Sequence, residues 1–368
     1  MKEPLQGWAA RAQLPQFPWD QLAPYAEQAR QHPDGIVDLS IGTPVDPTPV
    51  LVQQALQAAA DAPGYPLTIG TPALRSALVA WSARRLGATV TEANVVPSIG
   101  SKELVSLLPV LLGLHGKQIL LPALAYPTYD VGARLAGCEP VATDDPTAHD
   151  PAAVGLVWLN SPSNPTGRVQ PAEELRRVVE WGREHGVLIA SDECYLELDW
   201  EREPVSVLHP SVSGSSTEGV LALHSLSKRS NLAGYRAGFA VGDATAIALV
   251  IEARKHIGLL PPAPIQAATI AALGDDAHVA EQKERYRLRR EQLKPAVEKA
   301  GFRVEHSEAG LYLWCTRDED CWQSVGWLAD RGILAAPGAF YGVAGARHVR
   351  VALTATDERV SAAADRLS

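Results

Sequence analysis

The sequence predicts an α/β protein: a mainly parallel sheet covered by helices on both faces, followed by a smaller α+β domain. Three observations carry that reading. Between Val95 and Gly242, short apolar runs alternate with stretches of helical period. Four apolar runs end in polar clusters, as happens where ligands bind at the carboxyl ends of strands in an open α/β sheet. After a long charged segment, Glu281–Lys299, the chain returns to strand-like and helical runs.

The elements follow in order. Residues 1–37 read as a proline-rich, irregular arm with a helical piece near Gln21–Gln31. Ile41-Gly42-Thr43-Pro44 forms a turn, Val50–Ala60 an amphipathic helix, Gly64-Tyr65-Pro66 a loop and Pro72–Leu86 a helix. Candidate strands are Val95–Ile99, Gln118–Leu121, Gly155–Asn160, Val187–Ser191, Val220–His224 and Ala237–Val241. The helices between them are Lys102–Leu114, Tyr129–Ala136, Pro171–His185 and Ala244–His256. Glu281–Lys299 leads into a second lobe, with strands at Phe302–Glu305, Leu311–Cys315 and His348–Leu353 and helices at Cys321–Arg331 and Asp357–Leu367. The expected division is a large domain over 40–275, and a small one made of 276–368 with the arm 1–39.

Composition narrows the function. A formal charge of −9 argues against a nucleic-acid-binding face, which wants a basic surface. The four cysteines, Cys138, Cys194, Cys315 and Cys321, form no Cys-x-x-Cys pair and lack metal-ligand spacing with histidine, so no metal is expected. Scattered thiols fit a reducing, cytoplasmic setting. The first twenty residues are broken by three prolines and contain no apolar signal core, and no apolar run reaches membrane-spanning length.

The chemistry concentrates in His224–Gly238. Lys228 lies three residues after Ser225 and eight before Arg236, just past the apolar run Val220–Leu223. Burial and neighbouring cations at such a strand exit favour the neutral amine that Schiff-base chemistry needs. A solvated loop lysine is the ordinary alternative. Gly100-Ser101-Lys102 opens a helix after Val95–Ile99, where backbone N–H groups can receive an anion. A helix start capped by Ser98 is the competing reading. Asn164-Pro-Thr-Gly167 and Ser191-Asp192-Glu193-Cys194-Tyr195 follow two further apolar runs. In His348–Leu353, alternation points Arg350 to one face, where its guanidinium suits a carboxylate. A lysine, a carboxylate, an amide, an aromatic and an anion cradle on one sheet edge suit pyridoxal 5′-phosphate (PLP).

Together these motifs resemble the class I and II aminotransferases of PLP fold type I, from about Asp38 to the C-terminus. The family's spacing is kept, with 28 residues from Asn164 to Asp192 and 36 from Asp192 to Lys228. The resemblance implies a seven-stranded, mainly parallel sheet, PLP as cofactor, amino-acid and 2-oxo-acid substrates, and a homodimer with shared active sites. It implies that Lys228 carries the cofactor, Asp192 holds the ring nitrogen, Tyr195 and Asn164 reach the ring hydroxyl, and Tyr126 stacks on the ring. Gly100, Ser101, Lys102, Ser225 and Arg236 would surround the phosphate, and Arg350 with Gly42 would meet the α-carboxylate. Gly42 reads equally as a turn glycine. Tyr65 resembles the tyrosine that reaches a partner subunit's phosphate, though a core role fits the sequence as well. Leu311, Tyr312 and Trp314 either line the pocket or build an apolar strand. Gly42–Pro47, Gly100–Leu104, Ser225–Phe239 and Ala309–Trp314 narrow the resemblance to actinobacterial succinyldiaminopimelate aminotransferases, which implies N-succinyl-2,6-diaminopimelate and 2-oxoglutarate. An aspartate or aromatic aminotransferase, or a PLP-dependent carbon–sulfur lyase, is the nearest rival; a PLP-binding transcription regulator fits least, because the proline-broken arm is too short for a helix-turn-helix and the chain is acidic.

Overall fold

A computed structural model describes residues 14, 15 and 17–368. Its strands, in chain order, are β1 (Val37–Asp38), β2 (Val95–Ile99), β3 (Gln118–Leu121), β4 (Glu139–Ala142), β5 (Val154–Asn160), β6 (Leu188–Asp192) and β7 (Val220–Ser225). They continue with β8 (Ala237–Gly242), β9 (Arg303–Glu305), β10 (Tyr312–Thr316), β11 (Ile333–Leu334), β12 (Ala336–Pro337) and β13 (His348–Ala352).

Seven strands form the main sheet, in the order β2-β8-β7-β6-β5-β3-β4. Five neighbours, β7 to β4, run parallel, while β8 is antiparallel to both β2 and β7. That reversal matters for the site. It brings the start of β8, with Arg236 just before it, to the edge where the other strands end: Ala237 pairs with Ile99 and Gly238 with Ser225. Register along the same edge sets Asn160 opposite Asp192.

Alternation within buried strands gives the sheet two apolar faces. Val157 and Leu159 of β5 join one cluster, with Val178 and Ile189, while Leu156 and Trp158 join another with Leu104 and Tyr129. Helices cover both faces, as the alternating sequence requires. One buried ion pair fixes the turn that later carries an anion cradle. Arg254 is fully buried on the helix Ala244–Ile257 and bonds Glu103 of the helix Ser101–Leu111 at 2.7 and 3.2 Å. Its guanidinium also donates to the Pro97 carbonyl, and Glu103 accepts from the Ile99 amide at 2.7 Å. Removing one member of such a pair costs about 3–5 kcal/mol, because the other charge is stranded. Strand β2 and the following helix are therefore locked at a defined angle.

A second sheet, antiparallel in the order β12-β13-β10-β9, packs with the helices Ala277–Lys299, Cys321–Ala329 and Asp357–Leu367 around its own apolar cluster. The parallel pair β1–β11 lies beside it, and the Ala352 amide donates to the Leu39 carbonyl at 2.9 Å. The segment leading to Gly42 is thereby tied to β13.

Besides the short strands β1, β11 and β12 and the helix Pro210–Ser213, two elements absent from the expected pattern bear on the main sheet and its helices. β4 is a seventh, edge strand, short and partly exposed, with Pro140 inside it. The helix Ala263–Gly274 is apolar nearly all round and starts after Pro261-Pro262, so it shows no helical period in the sequence. Among the described residues, no helix is long and apolar enough to cross a membrane, and no group of three or more potential ligands could hold a metal ion.

Candidate active site

A cavity of about 370 Å³ opens at the strand-end edge, between the main sheet and the Arg350 strand. It is lined by Gly42, Ser101, Lys102, Tyr126, Asn164, Asp192, Tyr195, Ser225, Lys228, Arg236 and Arg350. Every site residue expected from the sequence is thus gathered here except Gly100, which lies just behind Arg236, and Tyr65. Tyr65 is 96% exposed and stands apart from this cavity.

Lys228 is presented by a one-turn helix, Leu226–Arg229, that Ser225 caps through the Ser227 amide at 3.2 Å. Its Nζ donates to the Gly42 carbonyl. Burial draws its pKa down to about 8; Cys194 opposes this, and the Arg350 and Arg236 charges reinforce it. A larger fraction of neutral amine at neutral pH follows.

Asp192 ends β6 and is 5% exposed. Burial pushes its carboxyl up, while bonds from Cys194 and Tyr129 pull it down. Tyr129 Oη donates to Oδ2 at 3.0 Å, and the Cys194 amide donates to Oδ1 at 3.2 Å. Tyr129 is itself stacked on Trp158 with centroids 5.1 Å apart, so the carboxylate's orientation is set by a packed aromatic pair. Burial pushes the Cys194 thiol well up, which leaves it a poor nucleophile.

The anion cradle depends on a missing Cβ. Gly100 has φ 73°, and a methyl group there would come within 2.5 Å of the Arg236 guanidinium. Glycine therefore lets the arginine close on the helix start, where the Ser101 and Lys102 amides have no intrahelical partner. Ser98 does not cap this helix; its hydroxyl turns to the Gly100 carbonyl instead. Ser225 and Ser227 line the same cavity.

Arg350 is 2% exposed and lies across the cavity. One terminal nitrogen donates to Asn164 Oδ1 at 2.8 Å and the other to the Ser40 carbonyl at 2.7 Å. Among the described residues, its Nε has no hydrogen-bond partner. Asn164 is held in turn by Asn160, whose Oδ1 accepts the Asn164 amide at 2.7 Å. Tyr195 and Tyr312 hydroxyls meet at 3.0 Å. A Cβ on Gly42 would fall 2.1 Å from Tyr312 Oη, so this glycine leaves the room that Tyr312 occupies. Of the three strand residues read two ways, Tyr312 reaches the cavity, whereas Leu311 and Trp314 are buried in apolar clusters.

Tyr129, Asn160, Ser227 and the arm residues Phe17 and Trp19 also line the cavity and were not singled out from the sequence. Tyr129 carried a usable signal, since it follows Tyr126 at the spacing of one helical turn.

The residues fit PLP as a donor set. An anion cradle, a buried carboxylate, an aromatic face and a lysine with lowered proton affinity share one cavity, and Gly100 leaves the cradle its room.

The aminotransferase class I and II family model matches residues 34–367, and the chain belongs to that family. It is a PLP-dependent aminotransferase of fold type I. The chain is 61% identical to a probable aminotransferase of Mycobacterium tuberculosis, over 97% of this chain and 86% of that one. It is 57% identical to the 4-dedimethylamino-4-oxo-anhydrotetracycline transaminase of Streptomyces rimosus, over 97% and 99%. A solved structure of a probable N-succinyldiaminopimelate aminotransferase from Thermus thermophilus superposes with a TM-score of 0.86 at 28% identity, covering 95% of this chain and 99% of that one.

Proposed function

We propose that this chain moves an amino group between N-succinyl-2,6-diaminopimelate and 2-oxoglutarate. The observation that carries the reading is the buried Arg350 guanidinium facing the Lys228 amine across one cavity. That pairing suits a substrate with an amine and a carboxylate on one carbon. The succinylated substrate is supported by the sequence motifs and by likeness to the Thermus protein.

The bound cofactor supplies an electron-accepting ring for the charge that develops as a proton leaves the substrate's α-carbon. The chain's residues do the rest. Arg350 holds the α-carboxylate, with Asn164 and the Ser40 carbonyl fixing the guanidinium. Lys228 Nζ, its proton affinity lowered by burial, takes the α-proton and returns it one position along. Asp192 would face the cofactor's ring nitrogen, where its charge favours the protonated ring. Tyr126 would cover the ring, Tyr195 and Asn164 would reach the ring hydroxyl, and Gly100, Ser101, Lys102, Ser225 and Arg236 would hold the phosphate. Gly42 presents its backbone beside the carboxylate.

Steady-state turnover across amino donors tests the substrate. N-succinyl-2,6-diaminopimelate with 2-oxoglutarate should exceed aspartate and aromatic donors, and no turnover with it would overturn the naming. Arg350→Ala should lower kcat/KM by about 10²-fold or more for both half-reactions. The 57% likeness to the tetracycline-pathway enzyme favours a second reading, amination of a ring ketone. That reading wins if 4-dedimethylamino-4-oxo-anhydrotetracycline is aminated faster than the open-chain substrates.

The active unit in this reading is a cytoplasmic homodimer with shared sites. Tyr65 at 96% exposure, with Leu67 two residues on at 67%, leaves apolar side chains outside the fold that a second copy would cover. Sedimentation should give a dimer at assay concentration, and Tyr65→Phe should weaken PLP retention; a fully active monomer would refute both.

A further inference from the structure

Behind the cofactor-facing edge lies a pair of titratable groups that the mechanism does not use. Glu193 and His224 follow and precede the site residues Asp192 and Ser225 on neighbouring strands, and they are 2% and 4% exposed. Glu193 Oε1 accepts from the Val207 amide at 2.8 Å. Among the described residues, Glu193 Oε2 and His224 Nε2 each have no hydrogen-bond partner, and they lie 3.6 Å apart, beyond direct bonding. A cavity of about 10 Å³ is lined by both, which is about the size that seats one water.

The surroundings decide where the protons are. Among the described residues, no arginine or lysine pairs with Glu193. The nearby Arg229 is taken by Glu197, which also pairs with Arg85. On its other sides Glu193 meets the hydroxyls of Ser191 and Ser206 and the carboxylate of Asp192. A charged carboxylate with one bare oxygen would be costly there. An imidazolium at His224 is disfavoured equally, because its ring is packed against Trp81 and Phe239 with the Arg229 cation nearby. Burial pushes the Glu193 carboxyl up to about 7 against the pull of the Val207 amide and the Ser206 and Ser191 hydroxyls, with Asp192 adding a little to the rise; burial, with the Arg229 charge, takes His224 down to about 3.

We propose that buried Glu193 keeps its proton up to neutral pH and donates it through one buried water to neutral His224, so that in this state Asp192 is the only negative charge of the adjacent pair. Glu193 and His224 are then positioning residues. They join the ends of β6 and β7, where the Glu193 amide already bonds the Leu223 carbonyl at 2.9 Å, and they spare Asp192 a competing anion. The inference rests on the reading of Asp192 as the ring-nitrogen carboxylate.

Infrared spectroscopy of the full-length apoprotein tests the protonation without the cofactor. At mildly acidic pH, a protonated-carboxyl band should appear that shifts on glutamate ¹³C labelling and is lost in Glu193→Gln. No such glutamate band in the labelled wild-type protein would overturn the proposal whether or not the variant folds. In the holoenzyme, Glu193→Gln should leave the midpoint of the cofactor's absorbance titration unchanged. Loss of a resting charge would instead move it by about one unit, and such a shift would overturn the proposal. A crystal structure should place one water between Glu193 and His224; direct contact would refute the bridge. Failure of the Asp192 reading would show in Asp192 variants and leave the infrared band intact.

Discussion

Replacing Lys228 with alanine is expected to lower transamination by roughly 10²–10⁴-fold, the range for losing a positioned proton-transfer group. The loss should fall on kcat, because the anion cradle and Arg350 still gather cofactor and substrate. Borohydride reduction of the wild-type holoenzyme should fix the cofactor on the peptide containing Lys228, and label on any other lysine would sink the assignment. The local electrostatics add a pH signature. Burial, with Arg350 and Arg236 against the opposing Cys194, brings the lysine to about 8 from its ordinary 10.5. The neutral amine therefore grows in as pH rises through about 8, and capture of added PLP by the apoprotein should accelerate over that window. Acceleration only in the ordinary lysine range would mean that the amine is solvated.

Much of this site could be read in the sequence because its parts end apolar strands. Strands β2, β5, β6, β7 and β8 are runs of buried residues, so hydrophobicity locates them to within a residue, and the polar residue at each exit is then conspicuous. The edge strand β4 offers no such run: Glu139 and Ala142 are exposed and Pro140 interrupts it. The long-range contacts were invisible for a different reason. Asn164 and Arg350 lie 186 residues apart and meet only because β13 packs across the strand-end edge. The role of Gly42 changed most. The family resemblance implied backbone access to a carboxylate, whereas the structure adds a steric task, making room for Tyr312 to reach Tyr195. No local pattern encodes that. Tyr129 went unnoticed because its motif partner Tyr126 absorbed the aromatic role, although Tyr129 is the side chain that bonds Asp192.

Asp192→Asn should separate stability from function. A buried carboxyl with a raised pKa binds its proton more tightly in the folded apoprotein than in the unfolded chain. Its contribution to stability is therefore complete below the ordinary carboxylate range and is lost as pH rises through the folded value. At neutral pH the charge is a burden on the apoprotein, and asparagine removes it while its Oδ1 can still accept the Cys194 amide. The apoprotein's Tm at neutral pH should rise, and the difference from wild type should shrink on acidification. Turnover should move the other way, falling by roughly 10²–10³-fold, as for removal of a preorganised electrostatic partner. The amide cannot hold a proton on the ring nitrogen, and a neutral ring accepts charge poorly. Cofactor should still bind through the anion cradle. Near-normal turnover would show that another group protonates the ring; an unchanged Tm with lost turnover would show that Asp192 is already paired in the apoprotein. Tyr129→Phe gives the graded version. Removing its 3.0 Å bond takes away one of the interactions that hold the carboxyl down, so the carboxyl should rise further and turnover should fall less steeply than in Asp192→Asn.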